Sequence, residues 1–470
     1  MRRRGAASVS TLALAATLAL AAACEDASAP PACDAEILSS AVTANADNAL
    51  SAIVVVHARA LDSLRVRFGT SAASLDSVTA AVVAGADSTV IPVLGLLPQT
   101  TYTLEADGFA ACGNVTGQSL SIVSGALPSD LPRFTTSGLF PTPGYVAFAV
   151  GLYGAVIDNT GRIVWYHKFP GAAGPGLNFQ AQPGSGHYYA RPPTGAGEQG
   201  RWVEIDPLGK VTRTFTCAHS LQPRFHDIIA STDGSFWFMC DETRTMNLSA
   251  TGGVAAAEVT GTVVQHVSAT GELLFEWSVF DHFAITTLDS ADRAGPTVNF
   301  THGNALDLDG DGNLIVSFRS LSEITKIDTH TGSILWRMGG NANQFAPMSA
   351  SATFARQHGV RIGPSGELLL LDNLSDTHES RAKHLSYVTS ASSSVQLITS
   401  FGSQPPVVAL LGGSTQKLPN GHVLVAFGNG GRVEEYDAAG NVVWRINGNA
   451  GYVFRASRFP SLYSPGGYGR

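Results

Sequence analysis

The stretch FARQHGVRIGPSGELLLLDN, from Phe354 to Asn373, contains a polar turn at Gly363–Gly366 followed by a run of four leucines. A turn of this composition between apolar segments predicts a β-hairpin. The stretches FHDIIASTDGSFWFMCDE (225–242) and THGNALDLDGDGNLIVSFR (301–319) share this arrangement, and each has a histidine ahead of its turn. The fold is therefore expected to follow from a repeated hairpin unit.

Two marks recur along the second part of the chain. The first is a turn that contains a glycine, followed four residues later by an aromatic residue: DNTGRIVW, SATGELLF, DTHTGSILW and DAAGNVVW. The motif DPLGKVTR is weaker, because an arginine stands at the aromatic position. The second is a turn glycine that leads into a β-rich run: DGSFWFMC, DGNLIVSFR, SGELLLLDN and NGHVLVAFG. Two hairpins per unit of roughly forty to sixty residues are typical of a four-stranded propeller blade. Six units between Tyr145 and Asn449 predict an all-β, six-bladed β-propeller over residues 140–450, with a C-terminal tail at 451–470.

A different pattern precedes the propeller. From residue 35 to residue 136 the chain has short alternating runs such as SAIVVVHARA and SLRVRFGT. The piece GLLPQTTYTLEA resembles the turn and strand of fibronectin III-like domains, in which a tyrosine, here Tyr102, caps the corner. We therefore predict a small immunoglobulin/fibronectin III-like β-sandwich over residues 35–136.

The first residues have the features of an export signal. Three arginines follow the first methionine, and the apolar stretch LALAATLALAAA leads directly to Cys24. We predict a signal peptide over residues 1–23 and a short linker over 24–34. The sequence LAAAC resembles a bacterial lipobox, so Cys24 is a candidate lipid anchor; cleavage without lipidation is the alternative. In either case we expect an exported protein, periplasmic or at the cell surface, that meets a membrane only through such an anchor.

The charge composition bears on possible partners. The chain has 29 Lys and Arg against 37 Asp and Glu, a net charge of −8, and 14% charged residues. No basic field is present that would bind nucleic acid, so we expect no nucleic-acid partner. Nothing in the sequence indicates an oligomeric state.

Four cysteines follow Cys24, namely Cys33, Cys112, Cys217 and Cys240. In an exported protein such cysteines are expected to form disulfides. Four cysteines allow three connectivities, and we prefer Cys33–Cys112 and Cys217–Cys240, which pair neighbours along the chain. No C-x-x-C motif occurs, which weakens a zinc or thioredoxin-like interpretation.

Alignment of the units on their turn glycines places three histidines in register. His226 and His358 each lie eight residues before their turn glycine, and His302 lies ten residues before a longer turn. Because the first strand of each blade lines the central channel, the three histidines are predicted to converge on the axis. Arg319 is predicted to lie on the adjacent strand beside the same axis, and Ser414-Thr415 near the equivalent position of the sixth unit.

Burying three histidines and an arginine together costs free energy, so we expect this predicted cluster to have a function. Three histidines are a common catalytic zinc set. A fixed guanidinium beside a metal dication is unfavourable, however, unless an anion lies between them. Histidines and an arginine without a carboxylate instead suit a tetrahedral oxyanion, sulfate or phosphate. We therefore expect neither a metal nor a cofactor, and no Gly-Lys-Ser/Thr loop for a nucleotide occurs.

Several motifs, taken in order, carry a family resemblance: FHDI, THGNAL, GNLIVSFRSLSEITKID, TGSILWRMGG, FARQHGVRI, LLLLDN and GGSTQKLPNGHVLVAFGNGGRVEEYD. Together they resemble the bacterial arylsulfotransferase family over most of the propeller. The resemblance implies an exported six-bladed propeller behind a small β-sandwich. In that family one histidine is transiently sulfated, while two other histidines and an arginine hold the sulfuryl group.

The resemblance also implies roles for residues of this chain, with His358 as the nucleophile. The matching positions are His358, His226, His302 and Arg319 for catalysis, and Asn304 and Thr415 for substrate binding. Neighbouring positive charge lowers the pKa of each histidine, so at least one ring is expected to be neutral near pH 7. The other two, when charged, are expected to stabilise the sulfuryl oxygens together with Arg319 and Asn304.

The sequence thus predicts nucleotide-independent sulfuryl transfer from an aryl sulfate to a phenol, by ping-pong chemistry through a sulfohistidine. One alternative is a non-catalytic exported propeller lipoprotein that acts as a binding scaffold, for which no axial histidine cluster is expected. Another is a quinoprotein-like oxidoreductase, which would need about eight units and the metal carboxylates of a cofactor site.

Overall fold

The computed structural model describes residues 33–171, 177–182, 184–194, 198–346, 348–363, 365–389, 393–466 and 468. The predicted signal peptide (1–23), Cys24 and most of the predicted linker (24–34) lie outside these residues. Among the described residues, helix is confined to α1 (Val279–His282) and 3-10 turns at Ala218–Ser220, Ser249–Thr251, Ile285–Thr287 and Ala350–Ala352. Across these ranges, no helix has the length and apolarity needed to cross a membrane. The all-β prediction is confirmed.

Two sheets packed face to face form the N-terminal part. Its strands are β1 (Glu36–Ala44), β2 (Ser51–Arg59), β3 (Ser63–Gly69), β4 (Ser77–Val78), β5 (Val82–Val83), β6 (Thr89–Leu94), β7 (Thr101–Ala110), β8 (Gly113–Thr116) and β9 (Leu120–Val123). One sheet has the order β1-β2-β6, and the other is built on β3 and β7. Alternate apolar residues of both sheets, such as Val54 and Val66, share one core. The Tyr102 hydroxyl accepts a hydrogen bond from the Leu97 backbone N–H at 2.9 Å, so this tyrosine closes the predicted corner.

The remaining strands form six sheets, which are antiparallel except that Thr297–Asn299 pairs parallel with Ala257–Val267. They are β10 (Thr136–Ser137), β11 (Tyr145–Val150), β12 (Tyr153–Asp158), β13 (Ile163–Lys168), β14 (Asn178–Ala181), β15 (Tyr188–Arg191), β16 (Trp202–Ile205), β17 (Val211–Phe215), β18 (Gln222–Ala230), β19 (Phe236–Met246), β20 (Ala257–Val267), β21 (Leu273–Ser278), β22 (Thr297–Asn299), β23 (Gly303–Leu308), β24 (Leu314–Phe318), β25 (Glu323–Ile327), β26 (Ile334–Gly339), β27 (His358–Ile362), β28 (Leu368–Asp372), β29 (Arg381–Val388), β30 (Ser394–Gly402), β31 (Ser414–Lys417), β32 (Val423–Ala426), β33 (Val433–Tyr436), β34 (Val442–Ile446) and β35 (Ala456–Phe459).

These sheets are the blades of a closed ring. From the inner strand outward, blade 1 is β35-β11-β12-β13, blade 2 is β14 to β17, and blade 3 is β18 to β21. Blade 4 is β23 to β26, blade 5 is β27 to β30, and blade 6 is β31 to β34, with β10 at its outer edge. The inner strands β35, β14, β18, β23, β27 and β31 each contact the next, and the last contacts the first. The six-bladed propeller behind a β-sandwich is therefore confirmed. Repeated turns have the same backbone, since Gly234 and Gly366 have φ of 81° and 82°.

The C-terminal residues differ from the predicted separate tail (451–470). Strand β35 pairs antiparallel with β11, with Phe459 opposite Tyr145 and Ala456 opposite Phe148. It supplies the inner strand of blade 1, so the propeller extends past residue 450. This pairing joins strands at opposite ends of the propeller sequence, and it removes the open sheet edges that an unclosed ring would leave.

Both preferred disulfides are present. Cys33–Cys112 has a Cα–Cα distance of 5.3 Å and joins the start of the sandwich to the turn after β7. Cys217–Cys240 has a Cα–Cα distance of 6.2 Å and joins the segment before β18 to β19. Two disulfides are consistent with a protein that folds outside the reducing cytoplasm.

Candidate active site

The structure brings together, at the propeller axis, the three histidines that align in the sequence repeats. His226 lies in β18, His358 begins β27, and His302 immediately precedes β23. The Nε2 atoms of His226 and His302 are 3.1 Å apart. One ring nitrogen from each of the three histidines lies within 4.8 Å of the others. The alignment on turn glycines therefore corresponds to one cluster in space.

Bulges in the inner strands accompany all three histidines. The pairing of β18 with β19 shifts between Pro223 and Ile228, on either side of His226. Similar shifts occur at the starts of β27 and β23, next to the other two histidines. His302 has a left-handed backbone with φ of 51°, a strained conformation for a residue with a side chain. Bulges re-aim side chains next to active sites, and here they accompany side chains that meet at the axis.

The three rings have different hydrogen-bond partners. Nδ1 of His358 is 2.9 Å from Oδ1 of Asn373. Nδ1 of His302 is 2.7 Å from Nδ2 of Asn299, whose side chain is exposed. Nδ1 of His226 is buried and has no hydrogen-bond partner among the described residues. Neither asparagine was predicted as a site residue, although Asn373 ends the LLLLDN motif.

Burial and nearby positive charge keep the three rings neutral near pH 7. Burial is the largest cause that lowers the pKa of His226 and of His302 well below 6.5, and the Arg224 guanidinium lowers both further. Burial also lowers the pKa of His358 to about 3, although its hydrogen bond with Asn373 opposes the shift. All three shifts have the direction that was expected when at least one ring was predicted to be neutral.

Arg319 is the arginine of this cluster that has no carboxylate partner among the described residues. Three other arginines near the histidines are each paired, as Arg224–Asp241, Arg356–Asp292 and Arg455–Asp227. Nη2 of Arg319 donates to the Leu410 carbonyl at 3.2 Å. Its Nε is buried and has no partner in the described part of the chain. Arg319 therefore offers unused N–H donors and one uncompensated positive charge.

The predicted substrate-binding residues contact the segment that carries His358. Nδ2 of the buried Asn304 donates to the carbonyl of Gln357 at 2.6 Å. Oγ1 of the buried Thr415 donates to the carbonyl of Gly359 at 3.0 Å. These bonds fix the backbone on both sides of His358.

An ion-pair network adjoins the histidines, since Asp227 follows His226 in β18 and Arg455 donates to the His226 carbonyl. Asp227 accepts hydrogen bonds from Arg361 Nη1 at 3.0 Å and from the Leu306 backbone N–H at 3.0 Å. Arg455 Nη2 lies 3.3 Å from the same carboxylate. Burial alone would raise the pKa of Asp227, but the two guanidinium groups lower it below its usual value. The network joins the inner strands of blades 3, 4 and 5 beside a cavity of about 40 Å³.

Comparison with known sequences assigns the chain to a family. Residues 210–449 match the sequence model described as arylsulfotransferase (ASST), slightly more than half of the 470 residues. This chain belongs to the arylsulfotransferase family. The matched segment contains the whole histidine cluster, Arg319 and Thr415, so the family assignment and the cluster concern the same part of the chain. Membership indicates a sulfotransferase whose small-molecule substrates are aryl sulfates and phenols.

Other comparisons are more distant. No curated protein matches the chain. Among solved structures, a Bacteroides caccae protein of unknown function is similar at 14% identity and a TM-score of 0.43, over 67% of this chain and 98% of its own. Streptogramin B lyase is similar at 13% identity and a TM-score of 0.36, over 66% and 87%. A luciferin-regenerating enzyme is similar at 13% identity and a TM-score of 0.37, over 69% and 96%. These scores are too low to assign an activity.

Residues beyond the segment matched by the arylsulfotransferase family also reach the site. The ring of Phe454 lies 5.4 Å from that of His226 and 6.4 Å from that of His358, between centroids. Tyr452 and Phe225 lie against Phe454 at 6.3 and 5.2 Å. These three rings form an aromatic wall that was not predicted from the sequence, because two of them fall in the predicted tail.

Proposed function

We propose that this chain transfers a sulfuryl group from an aryl sulfate to a phenol by ping-pong chemistry, with His358 as the covalent nucleophile. The observation that carries the proposal is the convergence of three neutral imidazoles beside the unpaired guanidinium of Arg319. A neutral imidazole has a lone pair for attack. The guanidinium supplies fixed positive charge for the sulfuryl oxygens, the usual arrangement for an oxyanion.

The aromatic wall supports the proposal that the sulfate donor is an aryl sulfate. Phe225 stacks on the ring of His226 with centroids 4.1 Å apart. Together with Tyr452 and Phe454 it gives an apolar surface beside the histidines. Aromatic rings prefer offset-stacked or edge-to-face partners, and a phenyl group fits such a surface.

In the first half-reaction, a ring-nitrogen lone pair of His358 forms an N–S bond while the S–O bond to the aryl group breaks. The electron pair leaves on the phenolate. Negative charge that develops on the leaving oxygen raises the pKa of nearby imidazoles, so the hydrogen-bonded pair of His226 and His302 takes up a proton as the S–O bond breaks and passes it to the phenolate. In the second half-reaction a phenol returns this proton, its oxygen attacks sulfur, and the N–S bond breaks.

Intact-mass analysis after incubation with 4-nitrophenyl sulfate tests this proposal. The wild-type protein should gain one sulfuryl group and lose it when a phenol is added. His358→Asn should show neither the adduct nor turnover, whereas His378→Asn, at an exposed position, should behave as the wild type. A wild type that never gains sulfate from any aryl donor, or normal turnover by His358→Asn, would overturn the proposal.

The two alternatives from the sequence lose support. A binding scaffold was expected to have no axial histidine cluster, and the axial cluster is present. A quinoprotein was expected to have about eight units, and the described residues form six blades.

A metal-dependent hydrolase is the second candidate, and the spacing of the histidines favours it. Three neutral imidazoles whose nitrogens lie within 4.8 Å of one another match a common zinc ligand set. The cationic Arg319 beside them disfavours a dication. Dialysis against EDTA discriminates between the two candidates, because the transferase should keep full activity and the hydrolase should lose it until zinc is restored.

We also propose that the protein is exported to the periplasm or the cell surface, with Cys24 as a lipid anchor. The two disulfides support export. Cell fractionation of Cys24→Ser tests the anchor, since this variant should move from the membrane fraction to the soluble fraction. Equal membrane association of both forms would contradict it.

A further inference from the structure

The amide of Asn373 has one possible orientation. Its side chain is fully buried, and its nitrogen lies 2.7 Å from the Ala409 carbonyl and 3.0 Å from the Gly412 carbonyl. Carbonyl oxygens only accept hydrogen bonds, so the amide NH₂ must face both of them. The amide oxygen then faces Nδ1 of His358, at 2.9 Å.

This orientation determines which ring nitrogen of His358 carries the proton. An amide oxygen only accepts, so Nδ1 must be the protonated nitrogen. In a neutral imidazole the other nitrogen then has a free lone pair. Nε2 of His358 is therefore the atom available for attack.

The other two histidines constrain each other, because their Nε2 atoms are 3.1 Å apart and only one of the two can carry the shared proton. Neither has a fixed acceptor at Nδ1. Asn299, next to Nδ1 of His302, is exposed, so its amide is free to rotate and suits either tautomer. Nδ1 of His226 has no partner among the described residues. Sequence register alone left the choice of nucleophile among three histidines open. Among the three, His358 is the histidine whose hydrogen bond to a buried, fixed acceptor determines its tautomer.

We propose that Asn373 is a positioning residue that holds His358 as its Nδ1–H tautomer, so that Nε2 attacks sulfur and carries the sulfuryl group. This inference rests on the proposed sulfuryl transfer. When the N–S bond forms at Nε2, the proton stays on Nδ1 and the ring becomes cationic. The Asn373 oxygen then stabilises that positive charge until a phenol takes the sulfuryl group and the electron pair returns to Nε2.

The same loop connects Asn373 with Arg319. The loop 409–412 offers the Ala409 and Gly412 carbonyls to Asn373 and the Leu410 carbonyl to Arg319. Ser380 ties its start to Asn373, because Oγ accepts from Ala409 N–H and donates to the Asn373 carbonyl, both at 2.8 Å. Nucleophile and cation are thus positioned through one short segment.

Two variants of Asn373 and one matched control test the role. Asn178 is also fully buried, and its nitrogen donates to the carbonyls of Phe225 and His226 at 2.8 and 2.9 Å. Asn178→Ala removes the same kind of bonds beside the site without removing a contact to an imidazole nitrogen. Asn373→Ala should slow formation of the covalent adduct by about 10–100-fold, as loss of a histidine's outer partner typically does. Asn178→Ala should lose comparable stability but keep the adduct on Nε2.

Asn373→Asp should change the pH dependence of adduct formation, whereas a residue with only a structural role would leave that dependence unchanged. A carboxylate facing Nδ1–H favours the imidazolium and raises the pKa of His358 from about 3. Adduct formation should then be lost as the pH falls through the raised pKa, while the wild type and Asn178→Ala stay active. Arg319, Arg455, His226 and His302 also surround His358, and they are unchanged in these variants.

Nitrogen NMR of ¹⁵N-histidine-labelled protein gives a readout that needs no activity. The His358 signals, identified by their absence from His358→Asn, should show a protonated Nδ1 and a bare Nε2. A proton on Nε2 would overturn the inference even if Asn373→Ala failed to fold. A wild-type adduct on Nδ1, or an unchanged pH profile of Asn373→Asp, would also overturn it. Failure of the wild type to form any adduct would instead refute the proposed function, and the NMR result would stand.

Discussion

Asp227→Ala should destabilise the propeller by about 3–5 kcal/mol, the usual cost of removing one partner of a buried ion pair. The carboxylate of Asp227 is fully buried. It contacts Arg361 Nη1 at 3.0 Å and Arg455 Nη2 at 3.3 Å. Without it, two buried guanidinium groups lose their counter-charge and the Leu306 backbone N–H loses its acceptor.

Thermal unfolding followed by circular dichroism at pH 7 measures this effect. A loss of this size should lower the melting temperature by about 4–8 °C, because the unfolding entropy of roughly 320 residues is about 0.7 kcal/mol/K. Glu36→Ala is the matched control, because Glu36 pairs with Arg59 and both side chains are more than half exposed. Exposed pairs contribute little, so this control should melt as the wild type. A shift for Asp227→Ala no larger than that of the control would refute the reasoning.

The pH dependence gives a second check on Asp227. Its pKa is held below the usual 3.8 by Arg361 and Arg455, against the effect of burial. A carboxylate with a lowered folded pKa contributes stability above its unfolded pKa, and this contribution is lost as the pH falls through the folded pKa. The difference in melting temperature between wild type and Asp227→Ala should therefore persist down to about pH 4 and shrink below it.

Four further outcomes are expected. Arg319→Ala should slow turnover by roughly 10²–10³-fold yet leave a detectable adduct on long incubation, and unchanged turnover would contradict its role. Because the pKa of His358 is about 3, kcat/KM should show no loss from its protonation between pH 8 and pH 5; a decline assigned to His358 by ¹⁵N NMR would contradict this. Phenyl phosphate, a dianion at pH 8, should compete far more weakly than phenyl sulfate, and better at pH 5; equal competition at pH 8 would argue against a single site cation. Replacing Cys217 and Cys240 by serine should cost on the order of 2–4 kcal/mol, measured by urea unfolding, and an unchanged midpoint would contradict that.

The blade count and the histidine register were predictable because both depend on short-range sequence marks. A turn glycine followed by a β-rich run fixes a hairpin locally, and the marks recur with every blade. His226 and His358 have the same spacing from their turn glycines, so their positions in the blade follow from the hairpin alone. The disulfides were predicted from the order of the cysteines along the chain. This order was sufficient because each disulfide joins two consecutive cysteines.

Closure of the ring was not predictable from those marks. Strand β35 completes blade 1 by pairing with β11, which lies about three hundred residues earlier in the chain. No turn glycine marks such a pairing, so the last residues resembled a tail. Tyr452, Phe454 and Arg455 therefore went unnoticed, although the pairing places them beside the histidines. The orientation of the Asn373 amide was not predictable for another reason, since it depends on two carbonyls of the loop 409–412, which connects blades 5 and 6.

Charge balance in the site bears on the kind of ester it accepts. The three histidines are neutral, and Arg224 and Arg356 are each paired with a carboxylate. Arg361 and Arg455 share Asp227, and the charge of Asp307 also acts on both of them. The site thus presents one uncompensated positive charge, and an aryl sulfate carries one negative charge. A phosphate monoester at neutral pH carries nearly two, and the second charge would remain unbalanced in a buried site unless a histidine took up a proton. The burial that lowers the histidine pKa values opposes that uptake. The same burial that leaves His358 a nucleophile therefore also favours sulfate monoesters over phosphate monoesters.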